Sequence, residues 1–159
     1  MIMAETDNQN RSPEDDRADP QSVVIGYIAA MFAWENEFAR RDQAFWKLPT
    51  EQQTDKGLKD IRDCVREEKL KIMLHFCTHK RRVYSDVAAS YGSPTVYHPE
   101  DSIVEVIPQT KNRTYVIVGC NPRTTIDFKR FCVLKKADGW RIDSVKSKIG
   151  NFDWKQGIL

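Results

Sequence analysis

At 159 residues the chain is long enough for one domain of ordinary size, with a core that withdraws roughly two-thirds of the unfolded surface from water. Its formal charge of +2 is unevenly spread: residues 1–19 hold six acids and two bases, a net −4, which leaves +6 for the remainder. Such a mild excess is not the concentrated basic face of a dedicated nucleic-acid binder, and no run approaches the ~18 apolar residues of a membrane span.

Residues 1–19 (Glu5, Asp7, Glu14, Asp15, Asp16 and Asp19 against Arg11 and Arg17) have almost nothing apolar to offset the entropy of ordering, so they are expected to form a disordered acidic tail. Residues 20–159 are expected to form a single domain. Met1-Ile2-Met3-Ala4 runs straight into Glu5 without the apolar stretch of a secretory leader, so a soluble, cytoplasmic protein is expected. Asp19-Pro20 reads as a helix N-cap followed by a proline at the first helical position. Val24, Tyr27, Ile28, Met31, Phe32 and Phe38 then recur at spacings of three and four, interrupted only by Glu35. This predicts an amphipathic helix to about Arg41 or Phe45. Lys47-Leu48-Pro49-Thr50 is a break, and Thr50 with Gln53 has the form of a capping box. Gly57 weakens that start, so a short turn should precede a longer helix from Leu58. Its stripe is Leu58, Ile61, Val65, Ile72, Met73 and Phe76, ending near residues 78–80. Val83, Tyr84, Val87 and Ala88 predict a third, short helix before the break at Ser90-Tyr91-Gly92-Ser93-Pro94.

Beyond the break the hydrophobic period changes to two. Residues 103–108, 114–119, 125–136 and 140–145 are β-branched or aromatic runs separated by turn signals. Pro108 should end its strand or lie on an edge. Ala137-Asp138-Gly139 is the sharpest hairpin signal, with two registers open to it. A two-residue Asp-Gly loop sets Leu134 opposite Asp143. A bulge at Gly139 sets Leu134 opposite Ile142 and Lys136 opposite Trp140. The second is favoured because it collects Trp140, Ile142, Leu134 and Cys132 on one face and sends Phe131, Val133 and Val145 to the other. Helices first and an antiparallel meander after make an α+β chain.

No residue pattern declares a reaction. Cys64, Cys77, Cys120 and Cys132 contain no paired spacing and read as small hydrophobes. Cys120 and Cys132 fall at opposite ends of a predicted hairpin, too far apart to bond. In His75-Phe76-Cys77-Thr78-His79 the two histidines share a helical face while Cys77 points away, short of a zinc ligand set, so no metal is expected. No cofactor motif is present either. The buried-acid candidates are Glu35, Asp127 and Asp143, of which Glu35 alone falls in an apolar stripe. Its plain reading is a carboxylate paired with an arginine or a backbone N–H, and its functional reading a general base. Tyr27, Trp34, Tyr84, Tyr91, Tyr97, Tyr115 and Trp140 read first as core. Tyr91 and Tyr97, flanking a stiff Gly/Pro break, also suit protein recognition. His79-Lys80-Arg81-Arg82 complements a helix C-terminus.

Three motifs carry a resemblance: Trp34-Glu35 in the first helix, Gly92-x-Pro94-x-x-Tyr97-x-Pro99 at the crossover, and Trp140-x-Ile142-Asp143 in the last strand. Over about residues 20–150 the chain resembles the immunity-protein branch of the nuclear-transport-factor-2-like fold. The resemblance implies a cone: N-terminal helices packed on a curved antiparallel sheet. It also implies a bacterial protein that sterically blocks a cognate polymorphic toxin and catalyses nothing. Glu35, Tyr91, Tyr97, His98 and Glu100 are the expected partner-binding residues. The +6 body points to a toxin that is acidic or not a nuclease, with nucleic acid and membrane excluded as partners. Two alternatives stand beside this. One is a small-molecule module or an isomerase- or dehydratase-like enzyme whose pocket is lined by Tyr27, Trp34, Glu35, Asp127 and Trp140. The other is a homodimer through the outer sheet face, burying Phe131, Val133 and Val145.

Overall fold

A computed structural model describes residues 15–81, 95–120, 125–157 and 159. The predicted third helix and Tyr84, Tyr91, Gly92 and Pro94 lie outside the described residues. Helix α1 spans Pro20–Trp46 and α2 Asp55–Phe76, and five strands follow: β1 Ser102–Thr110, β2 Arg113–Gly119, β3 Phe128–Lys136, β4 Gly139–Lys148 and β5 Lys155–Gln156. The strands form one antiparallel meander in sequence order, so the chain is α+β with both helices ahead of a curved sheet.

The start of α1 follows its sequence signal. The Asp19 carboxylate accepts from the Ser22 amide at 2.8 Å, and Pro20 occupies the first helical position. The buried stripe is Val23, Val24, Tyr27, Ile28, Met31, Trp34, Glu35 and Phe38, with Phe45 further on. Residues 50–52 form a 3-10 turn, and Thr54, not Thr50, caps α2 by accepting from the Gly57 amide at 3.0 Å. Helix α2 stops at Phe76, earlier than expected, for a non-local reason. Cys77 turns extended, forms a parallel bridge with Ile142, and the Thr78 amide donates to Ile142 O at 2.8 Å. The carbonyls this exposes at the helix end are taken up by one buried guanidinium. Arg141 Nη1 donates to Leu74 O, His75 O and Cys77 O at 2.7, 3.1 and 3.2 Å. The same group holds the Asp138 carboxyl down at about 2.

The expected disordered tail covers too much of the chain. Residues 15–17 form a 3-10 turn, Arg17 Nη1 donates to His75 O at 3.1 Å, and Asp16 meets His75 Nε2 at 3.3 Å. These contacts pin the turn to the end of α2. Residues 1–14 lie outside the described residues.

The β3–β4 hairpin adopts neither anticipated register. Lys136 pairs with Gly139, Lys135 with Trp140 and Val133 with Ile142, leaving Ala137 and Asp138 as the loop. Gly139 has φ +118°, and a Cβ there would lie 2.7 Å from Arg17 O, so both the backbone and the space require glycine. Against the expected alignment this is a one-residue slip, which exchanges the two faces of β3. Phe131 and Val133 therefore face the core, and Leu134 and Cys132 do not. Val145 is buried with them because the register shifts at Asp143, so that Ile142 and Val145, three apart, both reach inward. The homodimer built on Phe131, Val133 and Val145 is thereby corrected: all three lie within the monomer core. Pro108 sits on β1, an edge strand, next to a register shift.

Candidate partner-binding site

Among the described residues of the crossover into the sheet, Val96 is clamped from inside on both of its backbone polar groups. Glu35, 3% exposed on α1, accepts from the Val96 amide at 2.8 Å. Lys129, 4% exposed on the inner face of β3, donates to Val96 O at 2.7 Å. Both polar groups of one peptide residue thus meet opposite charges from two different elements, each a charge-assisted bond. Next along the chain, the buried Tyr97 ring stands edge-on to Tyr27 at 5.3 Å, with the Lys129 ammonium 4.0 Å from its centroid. Burial pushes the Tyr97 phenol well above the ordinary tyrosine range.

Beyond Tyr97 the loop closes on itself. The His98 amide donates to the Asp101 carboxylate at 3.2 Å, the Asp101 amide to His98 O at 2.9 Å, and the Glu100 amide to His98 Nδ1 at 3.1 Å. The His98 ring packs edge-on against Phe32 at 4.9 Å. Exposed Val96, Pro99 and Glu100 are therefore presented on a loop whose backbone is held by buried charges and local turns.

Behind the loop lies a cavity of about 590 Å³. Its inner end is formed by Trp34, Glu35, Lys69, Tyr97 and Lys129, and its mouth by exposed Val96, Ile149 and Phe152. The Trp34 indole donates to Val65 O at 2.7 Å, fixing the ring between the helices. The Lys69 ammonium lies 5.5 Å from that ring. Burial lowers the Lys69 pKa, and the charge of Glu35 acts in the opposite direction.

Of the five residues expected to line such a pocket, Trp34 and Glu35 do. Tyr27 is fully buried beneath Tyr97, and Trp140 packs at the hairpin end of β4, against the core. Asp127 is exposed, its carboxylate accepting from the Gly150 amide at 2.5 Å, and its neighbour Ile126 reaches the cavity instead. Of the five residues expected at a partner surface, Tyr91 lies outside the described residues, and Glu35 and Tyr97 are withdrawn into the interior. They set the position of Val96 and His98 and present no surface of their own. His98 is part-exposed and Glu100 is exposed, side by side on the loop. Asp143 pairs with Lys80 at 2.9 Å and accepts from the Thr78 hydroxyl at 2.9 Å, tying the basic run to β4. The His75 ring is taken up by Arg17 and Asp16, and His79 by Leu74 O. No cluster of metal-ligating side chains is present among the described residues. Nor is any helix among them long and apolar enough to cross a membrane.

From the sequence Lys69 reads as reinforcement of the basic run at residues 79–82 and Lys129 as a neighbour of Asp127, whereas both are buried at the inner end of the cavity. The only signal for Lys129 is a cation at the inward parity of a strand whose neighbours at that parity, Phe131 and Val133, are apolar.

No curated protein and no solved structure matches the chain. A family does: the NTF2 fold immunity proteins match over residues 19–156, which takes in both helices and all five strands. The two α-helices and five strands among the described residues agree with that fold, and the chain belongs to the NTF2 fold immunity protein family.

Proposed function

We propose that this chain neutralises a cognate bacterial toxin by binding its toxic domain and covering the working surface, without catalysis of its own. The observation that carries the reading is the family match across residues 19–156. The site geometry supports it. The best acid for a cone-pocket enzyme, Glu35, accepts from the Val96 amide, and the hydrogen bonds that hold residues 96–101 lower the entropic cost of meeting a partner there. Residues 20–159 act as the binding unit, in the cytoplasm, where a self-directed toxin would strike.

The test is co-expression. The chain, tagged, is produced together with a candidate cognate toxin domain. The expected result is a stoichiometric complex and survival of cells that the toxin domain alone kills. Cell death despite abundant folded chain would sink the proposal. The ligand-sized cavity favours a second reading, a small-molecule binding module. That reading predicts a co-purifying small molecule in native mass spectra of the chain produced without any toxin.

A further inference from the structure

The inner face of the sheet packs on the helices and lines the cavity described above, whereas the outer face carries a cation–aromatic array. The Arg130 guanidinium lies between two rings, 4.7 Å from the Tyr115 centroid and 4.9 Å from that of Trp154. Lys148 stands 5.7 Å from the second ring. Directly across the ladder, Arg130 faces Lys146, and Phe128, 38% exposed, faces Lys148. Arg113 continues the series on β2. Glu105 lies opposite Ile117 on the edge strand, and Asp143, at the β4 register shift beside Cys132, is paired with Lys80.

Two like charges set opposite each other in an antiparallel pair destabilise a sheet. Arg130 and Lys146 are such a pair, and the two rings beside Arg130 offset part of that repulsion within the fold while leaving the positive charge at the surface. Arginine, tryptophan and tyrosine are also the residues in which binding energy concentrates at interfaces, and here the two rings hold the guanidinium in one place before any partner arrives. Building on the immunity reading above, we infer that this outer face, centred on Tyr115, Arg130, Lys146, Lys148 and Trp154, receives the toxin domain and fits an acidic patch on it. A second copy of this chain does not suit the face, because a two-fold contact would set the same cations against themselves. Single-stranded nucleic acid suits it less well, since bases stack on open ring faces and these rings are already occupied by Arg130 and Lys148.

The experiment measures binding of the purified toxin domain to the full chain and to three charge-reversal variants: Arg130→Glu, Arg66→Glu on the exposed surface of α2, and Glu100→Lys on the crossover. Arg130→Glu places a carboxylate opposite Lys146, so folding should be favoured, which an unfolding curve checks. The milder Lys146→Gln/Lys148→Gln pair serves as the second probe. The expected result is a loss of at least about 100-fold in affinity for Arg130→Glu, carried partly by a slower association whose salt dependence is reduced, with less than about 3-fold for Arg66→Glu. If the toxin domain binds the wild type and Arg130→Glu binds equally well, the outer face is not the interface, while the immunity reading stands. Loss confined to Glu100→Lys moves the interface to the crossover and overturns the proposal in the same way. If the wild type neither binds nor protects, the immunity reading fails and this inference falls with it. Tight binding of a fluorescent single-stranded oligonucleotide that disappears in Arg130→Glu, with toxin binding untouched, assigns the face to nucleic acid instead.

Discussion

Lys129 and Arg130 are adjacent in β3, carry the same charge and have opposite roles. Lys129 points inward, gives its ammonium to Val96 O and holds the crossover in place. Arg130 points outward, rests between Tyr115 and Trp154, and faces a like charge across the ladder. A buried cation is tolerated where a fixed acceptor compensates its desolvation, and a surface cation is cheap to keep because water does so. Placement by one position in a period of two therefore decides whether a charge serves the fold or remains free to serve recognition.

Substitutions along β3 sharpen this contrast. The largest effect is expected at Phe131, fully buried on the Lys129 side. Phe131→Ala should cost about 3–5 kcal/mol in denaturant unfolding, and a loss below about 1 kcal/mol would break the assignment of the inner face. Next comes Lys129→Met, which keeps the stem, removes the donor and leaves Val96 O without its ammonium. A loss of about 1–3 kcal/mol is expected, with faster amide exchange over residues 95–101, and unchanged exchange there would show the clamp to be idle.

Lys69 provides a pH version of the comparison. Its pKa is lowered by burial from an ordinary 10.5, so between the folded and unfolded values the unfolded chain holds a proton that the folded chain has released. Stability should therefore rise with pH across that window, by at most about 1.4 kcal/mol per unit. Tyr97 acts with the opposite sign at higher pH, because its phenol is raised. The difference between wild type and Lys69→Met isolates the lysine: the variant should be the more stable at neutral pH, and its advantage should shrink as pH rises. A constant difference would refute the assignment. The smallest effect belongs to Arg130→Ala, within about 0.5 kcal/mol of wild type in unfolding, in contrast to the loss its reversal should cause in binding.

Much of the helical half was legible because its determinants are local. Asp19-Pro20 capped α1 as read, and the three-and-four spacing gave the buried stripe, Glu35 included. The sheet was less so. β3 alternates Phe128, Arg130, Cys132 and Leu134 with Lys129, Phe131, Val133 and Lys135, so both parities are mixed and neither declares itself the core face. The hairpin loop had to decide, and placing Gly139 in the loop instead of in the strand moved the register by one residue. The end of α2 depended on pairing between Cys77 and Ile142, 65 positions apart in the chain, which no local signal reports. The site was half legible for the same reason. Glu35 stood out against an apolar stripe, but the acceptor of Lys129 is a backbone carbonyl 33 residues away, and carbonyls have no sequence signature.

The bridge from Cys77 to Ile142 also settles how a partner can approach. It covers one stretch of the β4 edge, and β5 covers another at Lys146 and Ser147. At the opposite edge β1 carries Pro108, which has no N–H to offer, and two register shifts. Bulged, proline-bearing or covered edges are poor templates for a foreign strand. Recognition by extending the sheet with a strand of the partner is thus discouraged at both sides, and so is edge-to-edge aggregation. Side chains on the faces of the sheet and helices are better suited to contact a partner than these edges are.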